Sequence, residues 1–448
     1  MRTISKKIVC LFLTFLLGTL IFSVEVKAED ASQPLYTVQY GYSRIDDPGQ
    51  STEGAVSFNN INDLRSWIND ILANKSSGSF SYAKVTLGGD ADVFFFNSNQ
   101  LIFDFNNYNF RFVDNAGKPV SYITIDRDIS METEFRNGTF SGNVQWVLQN
   151  RAHLFLSNIV LDGGNKVYYN DIILLQADSS ISGESVTIKD FDLRDRAKII
   201  TIFGSHTDNY HIYYAAMGMA HGGPFQFVNI HSDNRDGIIC LEEDAHLACV
   251  QFISCSSANG GAVKLANGTI DECTFKNCSA KKGGAVYALG GKIILSTFEN
   301  NTATDSNGGA VYVNCEDFEI SDSSFIGNSS SDDGGAVYVM RNYFTLNNCT
   351  FENNHSDDDG GAIYIYPQAS NCVIKDSKFS GNSADGKYDD VRGGSNVKIS
   401  NCGAIISSGS TIIIIIACAI LLVFAVVYIL VKFRFHKSGK GKENKDSV

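Results

Sequence analysis

Six histidine and aspartate side chains crowd into 41 residues of this chain: His206, Asp208, His211, His221, His231 and His246, with Asp233, Asp236, Glu242 and Glu243 close by. Imidazoles and carboxylates in that mixture can hold a metal ion or move protons. The spacing matches no tight ligand pattern, such as two histidines one helical turn apart. If the chain is an enzyme, His206, Asp208, His221 and Asp236 are the candidate catalytic residues. The competing reading makes all of them loop residues on insertions between structural units.

A second set of carboxylates lies further on. Asp332-Asp333 and Asp357-Asp358-Asp359 each precede a Gly-Gly pair. Stacked, they would offer Ca²⁺ the hard oxygen ligands it prefers, with Asp332, Asp333, Asp358 and Asp359 as the candidates. No regular Ca²⁺-loop motif is present, and aspartate also suits solvated turns. No other cofactor is expected. Of eleven cysteines, nine lie between residues 240 and 402. No Cys-x-x-Cys pair occurs, which excludes the usual zinc arrangement. Cys273 and Cys349, each two residues before a repeated Phe, read as small buried apolar groups. Cys255 and Cys278 occupy equivalent positions 23 residues apart and are the disulfide candidate.

What positions these groups is a repeat. Gly-Gly-Ala-Val begins at Gly260, Gly283, Gly308 and Gly334, and Gly-Gly-Ala-Ile at Gly360, in steps of 23, 25, 26 and 26 residues. Between them runs Phe-x-x-Asn: Phe298 to Asn301, Phe325 to Asn328, Phe351 to Asn354, Phe379 to Asn382. In the copies at Phe252 and Phe275, Cys255 and Cys278 replace the Asn. A period near 25 is too short for a helical-pair repeat and fits one coil of a β-solenoid. Each unit breaks into short β runs separated by Gly, Asn, Asp and Ser. Gly-Gly suits a corner with positive φ and close backbone approach. Asn at another corner would take the left-handed conformation and hydrogen-bond along the stack.

Side-chain alternation then sorts inside from outside. In Val286-Tyr287-Ala288, Val311-Tyr312-Val313, Val337-Tyr338-Val339 and Ile363-Tyr364-Ile365 the outer members are apolar and face the core. The middle members, with Lys264 before them, form an expected exposed ladder. Tyr287, Tyr312, Tyr338 and Tyr364 are therefore the candidate binding residues, since a flat strip of tyrosine can stack on sugar rings or pack on a partner protein. Phe298, Phe325, Phe351 and Phe379 form an internal column.

Alternating Gly-Gly-Ala-[Val/Ile] and Phe-x-x-Asn resembles the polymorphic outer-membrane protein repeat of surface adhesins. It is also similar to the repeats of adhesin-like surface proteins with a pectin-lyase-like, right-handed parallel β-helix. The resemblance covers about 140 residues and implies a cell-surface β-helix used for attachment, with a carbohydrate or protein ligand. The outer-membrane family ends in a membrane β-barrel, whereas this chain ends in an apolar segment. Polysaccharide-cleaving β-helices of the polygalacturonase type carry Asn-Thr-Asp, paired Asp and Gly-His-Gly. This chain has Asn234-Arg-Asp236-Gly and His221-Gly-Gly instead, so a polysaccharide lyase or hydrolase is the alternative, and a structural surface-layer component the third reading.

The remaining segments complete an all-β expectation. Residues 1–28 read as a secretory signal: Arg2, Lys6 and Lys7, an apolar run, then Val26-Lys27-Ala28 for cleavage. Residues 29–80 hold a one-sided helical pattern at Ile61, Leu64, Trp67, Ile68, Ile71 and Leu72, a helix expected to cap the open N-terminal end of the solenoid. Residues 81–402 are the β-helix, of ten to twelve coils, with clear repeats over 250–385. A linker at 403–411 leads to 412–431, twenty apolar residues without charge that can span a bilayer. Lys432, Arg434 and Lys437 open a cytoplasmic tail, 432–448, so the expected topology is single-pass type I. The net charge is −13, and the basic leader and tail together carry seven positive charges, leaving about −20 between them. So acidic an exterior excludes nucleic acid as the partner.

Overall fold

A computed structural model describes residues 33–402, with breaks at 42–53, 75–79, 97, 115, 127–131, 142–144, 150–151, 177–178, 196, 204–210, 213–223, 234–236, 242–244 and 395. The expected leader (1–28), linker (403–411), apolar span (412–431) and tail (432–448) lie outside the described residues. Among the described residues no helix is long and apolar enough to cross a membrane.

Each 25-residue unit is cut into four short strands because its sequence alternates three-residue β runs with turn formers. In one unit these are Val311–Val313, Glu319–Ser321, Ser324–Ile326 and Ser329–Ser330. Every strand pairs in parallel with its equivalent in the neighbouring coil, as Val311–Val313 does with Val337–Val339. The result is a parallel β-helix whose sheets run along its axis. One has 23 strands and contains both middle strands of each unit, one has eleven, and one has six. The short strand that carries the column Phe follows the expected β runs, whereas the two-residue fourth strand is an addition to them.

The interior follows the expected parity. Val263, Leu265, Val286, Ala288, Val311, Val313, Val337, Val339, Ile363 and Ile365 are all fully buried. The phenylalanine column is longer than its motif: Phe227, Phe252, Phe275, Phe298, Phe325, Phe351 and Phe379 stack with ring centroids 4.7–5.1 Å apart, at interplanar angles of 2–10°. Parallel strands one hydrogen-bond spacing apart force this separation on identical side chains.

At the corners the reading needs correction. The motif asparagines are not the left-handed residues. That role falls one position earlier, to Asn277, Asn300, Gly327, Asn353 and Gly381, each with φ between 55° and 69°. The left-handed residue turns the chain, and the next side chain is thereby thrown inward. Asn301, Asn328, Asn354 and Asn382 are consequently buried. Asn301 Nδ2 donates to Asn328 Oδ1 and to Phe275 O. Asn328 Nδ2 donates to Asn354 Oδ1 and Phe298 O, and Asn354 Nδ2 to Asn382 Oδ1 and Phe325 O. Each Oδ1 in turn accepts the backbone N–H one coil back, such as Asn301 N–H on Asn328 at 2.9 Å. The column ends where Asn382 Nδ2 donates to Asp390 Oδ1 at 2.9 Å.

The preceding corner repeats the device with smaller groups. Glu272, Leu295, Asp322, Asn348 and Asp376 are left-handed. Behind them Cys273, Ser296, Ser323, Cys349 and Ser377 point inward, and Cys273 N–H donates to Ser296 Oγ at 3.1 Å. Cys273 and Cys349 are buried as expected, and they also belong to a polar ladder. The third corner is Gly-Gly. Its first glycine has positive φ (Gly308, 72°), and at its second a Cβ would collide with the carbonyl oxygen of the next coil, as at Gly309 against Gly335.

At the N-terminal end the pattern changes. Antiparallel strands β1 (Tyr36–Gly41) and β2 (Gly54–Phe58) join the large sheet through β3 (Phe80–Leu87). Helix α1 (Ile61–Asn74) starts at Asn60, whose Oδ1 accepts Asp63 N–H at 2.9 Å, a side-chain cap on an otherwise orphaned donor. It buries Leu64 and Ile68, and Trp67 packs against Tyr40, Phe58 and Phe80. The next coils are filled by an aromatic cluster of Phe95, Phe103, Phe105, Phe112, Phe135, Phe140 and Trp146.

Replacing Asn328 by Ala orphans several buried polar groups and is expected to cost about 3 kcal/mol of stability by denaturant unfolding. Leu295 holds φ 50° with half its surface exposed, a conformation that disfavours leucine. Leu295→Asn, the residue that the equivalent corner uses at Asn348, is expected to raise the melting temperature, by about 1 kcal/mol of stability.

Candidate functional site

The tyrosine column is in strict register. Lys264, Tyr287, Tyr312, Tyr338, Tyr364 and Arg392 are successive parallel partners. Its rings do not lie flat. Tyr287–Tyr312, Tyr312–Tyr338 and Tyr338–Tyr364 stack at centroid distances of 5.3, 4.9 and 5.4 Å and interplanar angles of 19°, 18° and 7°. Each inner ring gives both faces to its neighbours. Tyr312 and Tyr338 are 5% and 6% exposed, against the expectation of an open ladder, while Tyr287 and Tyr364 are half-buried.

The reason is lateral. The Tyr312 hydroxyl donates to Met340 Sδ at 3.4 Å, and Asn314 Nδ2 donates to the Tyr287 hydroxyl at 3.4 Å. The Lys282 ammonium sits 5.4 Å from the Tyr312 ring centroid, a cation–π distance. Strand alternation predicts which side of the sheet a residue faces, but not what the adjoining loops lay over it. Those loops contribute Tyr343 and Tyr366, 47% and 38% exposed, which the repeat reading passed over. Burial, then the neighbouring phenols and Asp333, push the Tyr338 phenol up.

Beside the rings runs a second column, Lys282, Asn307, Asp333 and Asp359, the residues that precede each Gly-Gly. Asp333 N–H donates to Asn307 Oδ1 at 2.9 Å, and Asp359 N–H to Asp333 Oδ1 at 3.2 Å. The Asp359 carboxylate is 3.8 Å from the Arg392 guanidinium. Asp332 and Asp358 stack beside them, with Asp358 N–H on Asp332 O at 3.2 Å. The four Ca²⁺ candidates are thus at one corner, two per coil. Among the described residues no group of three or more His, Cys, Asp or Glu is arranged to hold a metal ion. Burial, reinforced by the Asp359, Asp358 and Asp332 charges, raises the Asp333 carboxyl to about 6.

The candidate catalytic residues His206, Asp208, His221 and Asp236 lie outside the described residues. Of the histidine-rich span, His246 is placed: its Nε2 stands 3.4 Å from Asp271 Oδ2. It borders a surface notch of about 720 Å³, lined also by Thr269, Lys292, Glu316 and Glu319. His246, Thr269, Lys292 and Glu319 are register partners in four consecutive coils. Their mixed charges and hydroxyl suit a polar ligand. His231, by contrast, shares its Nδ1 with Ser256 Oγ at 2.8 Å. Sequence spacing could not pair His246 with Asp271, because the contact depends on coil register.

Cys255 and Cys278 share one corner in adjacent coils, both buried and both free thiols. Burial, then the adjacent Cys278, pushes the Cys255 thiol well up.

Residues 256–421, less than half the chain, match the family model for a right handed beta helix region. No curated protein matches, and no solved structure does.

The Asp333 shift sets a pH dependence. Its folded-state pKa stands above the unfolded value of 3.8, so its stabilising contribution is complete below about pH 4 and is lost as pH rises through about 6. Asp333→Asn keeps the Oδ1 acceptor and mimics Asn307. Its melting temperature is expected to exceed that of the parent at pH 7.5 and to converge with it at pH 4.5, as measured by calorimetric scans across that range.

Proposed function

We propose that this is a membrane-anchored cell-surface recognition protein, an adhesin-type β-helix. In this reading the leader 1–28 directs export, 412–431 is the single anchoring helix, and the β-helix faces outward. The carrying observation is the rigid double column of tyrosines and pre-Gly-Gly residues, repeated at one-coil spacing and ending near the exposed Tyr366. Register fixed by backbone pairing spends no ordering entropy when a ligand binds, so a modest contact per coil adds up along the axis. A solenoid with a polar, unbranched side is suited to an extended ligand such as a polysaccharide or a partner's surface strand.

The ring stacking redirects the contact. Tyr312 and Tyr338 offer edges, so a sugar ring meets the column at Tyr364 and at the exposed Tyr366 near it. Asp333 and Asp359, beside these rings, favour ligands that carry hydroxyl or cationic groups. A second reading, polysaccharide cleavage, draws on the His246–Asp271 pair beside the notch. Imidazole oriented by a carboxylate is a proton-transfer arrangement.

The full chain in detergent, immobilised and exposed to neutral, acidic and amino polysaccharides and to glycoproteins, tests both readings. Retention of intact ligand, reduced at least tenfold by Tyr364→Ser with Tyr366→Ser but not by Thr269→Val, is the expected result. New reducing or unsaturated ends, abolished by His246→Ala, would replace recognition with catalysis. Tyr338→Ser is expected to lower the melting temperature, since it removes a buried stacked ring.

A further inference from the structure

The two corner columns raise a question about the positions where asparagine is missing. From Asn301 onward, successive corner side chains are tied to each other by amide hydrogen bonds of 2.9 Å. One and two coils earlier the corner holds Cys278 and Cys255. The backbone there is in the same register: Ser256 pairs with Ser279, and Ser279 N–H donates to Cys255 O at 2.9 Å. Cys278 N–H still donates to Asn301 Oδ1 at 2.9 Å, so the thiols head the same column. Each thiol takes over one asparagine duty, the donor to the preceding coil's Phe carbonyl: Cys278 Sγ to Phe252 O at 3.8 Å, Cys255 Sγ to Phe227 O at 3.5 Å. In place of the amide link, the reduced pair has only a direct thiol–thiol contact, a weak one because a thiol is a poor acceptor.

We propose that Cys255 and Cys278 are a cross-linking site, joined by a disulfide that ties the first two coils of the column together. In-register parallel neighbours stand about 4.8 Å apart, inside the Cα separation a disulfide spans. Both side chains point inward at the same corner, so their Cβ atoms run side by side. Among the described residues, five of the seven other cysteines meet a different residue type in the following coil: Cys240 pairs with Lys264, Cys249 faces Glu272, Cys273 faces Ser296, Cys349 faces Ser377 and Cys372 pairs with Val397.

The chemistry is thiol–disulfide exchange with a small disulfide such as oxidised glutathione. One cysteine thiolate attacks it, forming a mixed disulfide and releasing one glutathione thiolate. The second cysteine thiolate attacks the mixed disulfide, closing the Sγ–Sγ bond and releasing the other. Two electrons and two protons pass from the protein to two glutathione molecules. Cys255 and Cys278 are 0% and 1% exposed, so the folded coils shield both from an oxidant. The bond therefore forms before the coils close over it, and afterwards it is equally shielded from reductants.

The full chain, unfolded in denaturant and detergent, is refolded with mixed oxidised and reduced glutathione, then denatured, alkylated and digested. The expected product is a peptide pair joined through Cys255 and Cys278, two hydrogen masses below the sum of the free peptides. Folded reduced protein given the same mixture is expected to keep both thiols. The cross-linked form is expected to melt about 3 °C or more above its reduced form, a gap absent from the Cys255→Ser and Cys278→Ser proteins. Alkylation of both cysteines in refolded protein with native circular dichroism overturns the proposal, as does a dominant cross-link to any other cysteine. The result is independent of ligand binding, so it stands or falls apart from the recognition reading.

Discussion

Buried corner polar groups constrain everything else in this structure. A solenoid turns its chain several times per coil, and each turn brings backbone donors and acceptors into an apolar interior. Water cannot reach them, and an unmet group there costs more than a typical hydrogen bond returns. The chain answers with one arrangement used twice: a left-handed residue that turns the backbone, then a small polar side chain that bonds to its equivalent one coil away. Asn301 to Asn382 fill one such column, and Cys273 to Ser377 the other. Because each bond reaches to the next coil, the columns fix register as well as satisfy polarity. The phenylalanine stack and the tyrosine column inherit their spacing from that register.

Where the columns lapse, the coil changes character. Upstream of residue 250 the strands lengthen to as many as sixteen residues, as in His153–Tyr168, and the interior is held by large aromatic and aliphatic groups. Left-handed corners persist at Asn137, Asn158, Ser185, Asp190 and Asn229, but the inward residue after each is no longer a repeated amide. Packing there is by shape, which constrains composition without imposing a recurring word. That half contributes His246 to the pair with Asp271 and to the edge of the notch, whose other lining residues belong to the regular coils.

The difference explains what could be read in advance. Solenoid class, strand parity and the aromatic column were legible because one residue per coil must recur when neighbouring coils are identical. The corner geometry was misplaced by one residue, since Asn300 and Asn301 look alike in sequence and only the backbone assigns the turn to the first. The burial of Tyr312 and Tyr338 was invisible because Met340, Lys282 and the facing rings act sideways, between coils. Tyr366 and Tyr343 fall outside the repeated triplets and left no periodic trace. Asp333 looked like any solvated turn residue until its place between Asn307 and Asp359 was known.

The asparagine column also has a direction. Every amide nitrogen reaches forward to the oxygen of the following coil, and the series closes only at the Asp390 carboxylate. Every internal joint is therefore chemically identical, while the two ends are unique. A whole coil duplicated or deleted in the middle recreates the same joint and leaves no orphaned group behind. Partial-coil changes, by contrast, break both columns at once. Length is thus the cheapest property for this scaffold to vary: genes encoding it can gain or lose reach in whole-coil steps while the terminal pieces stay as they are.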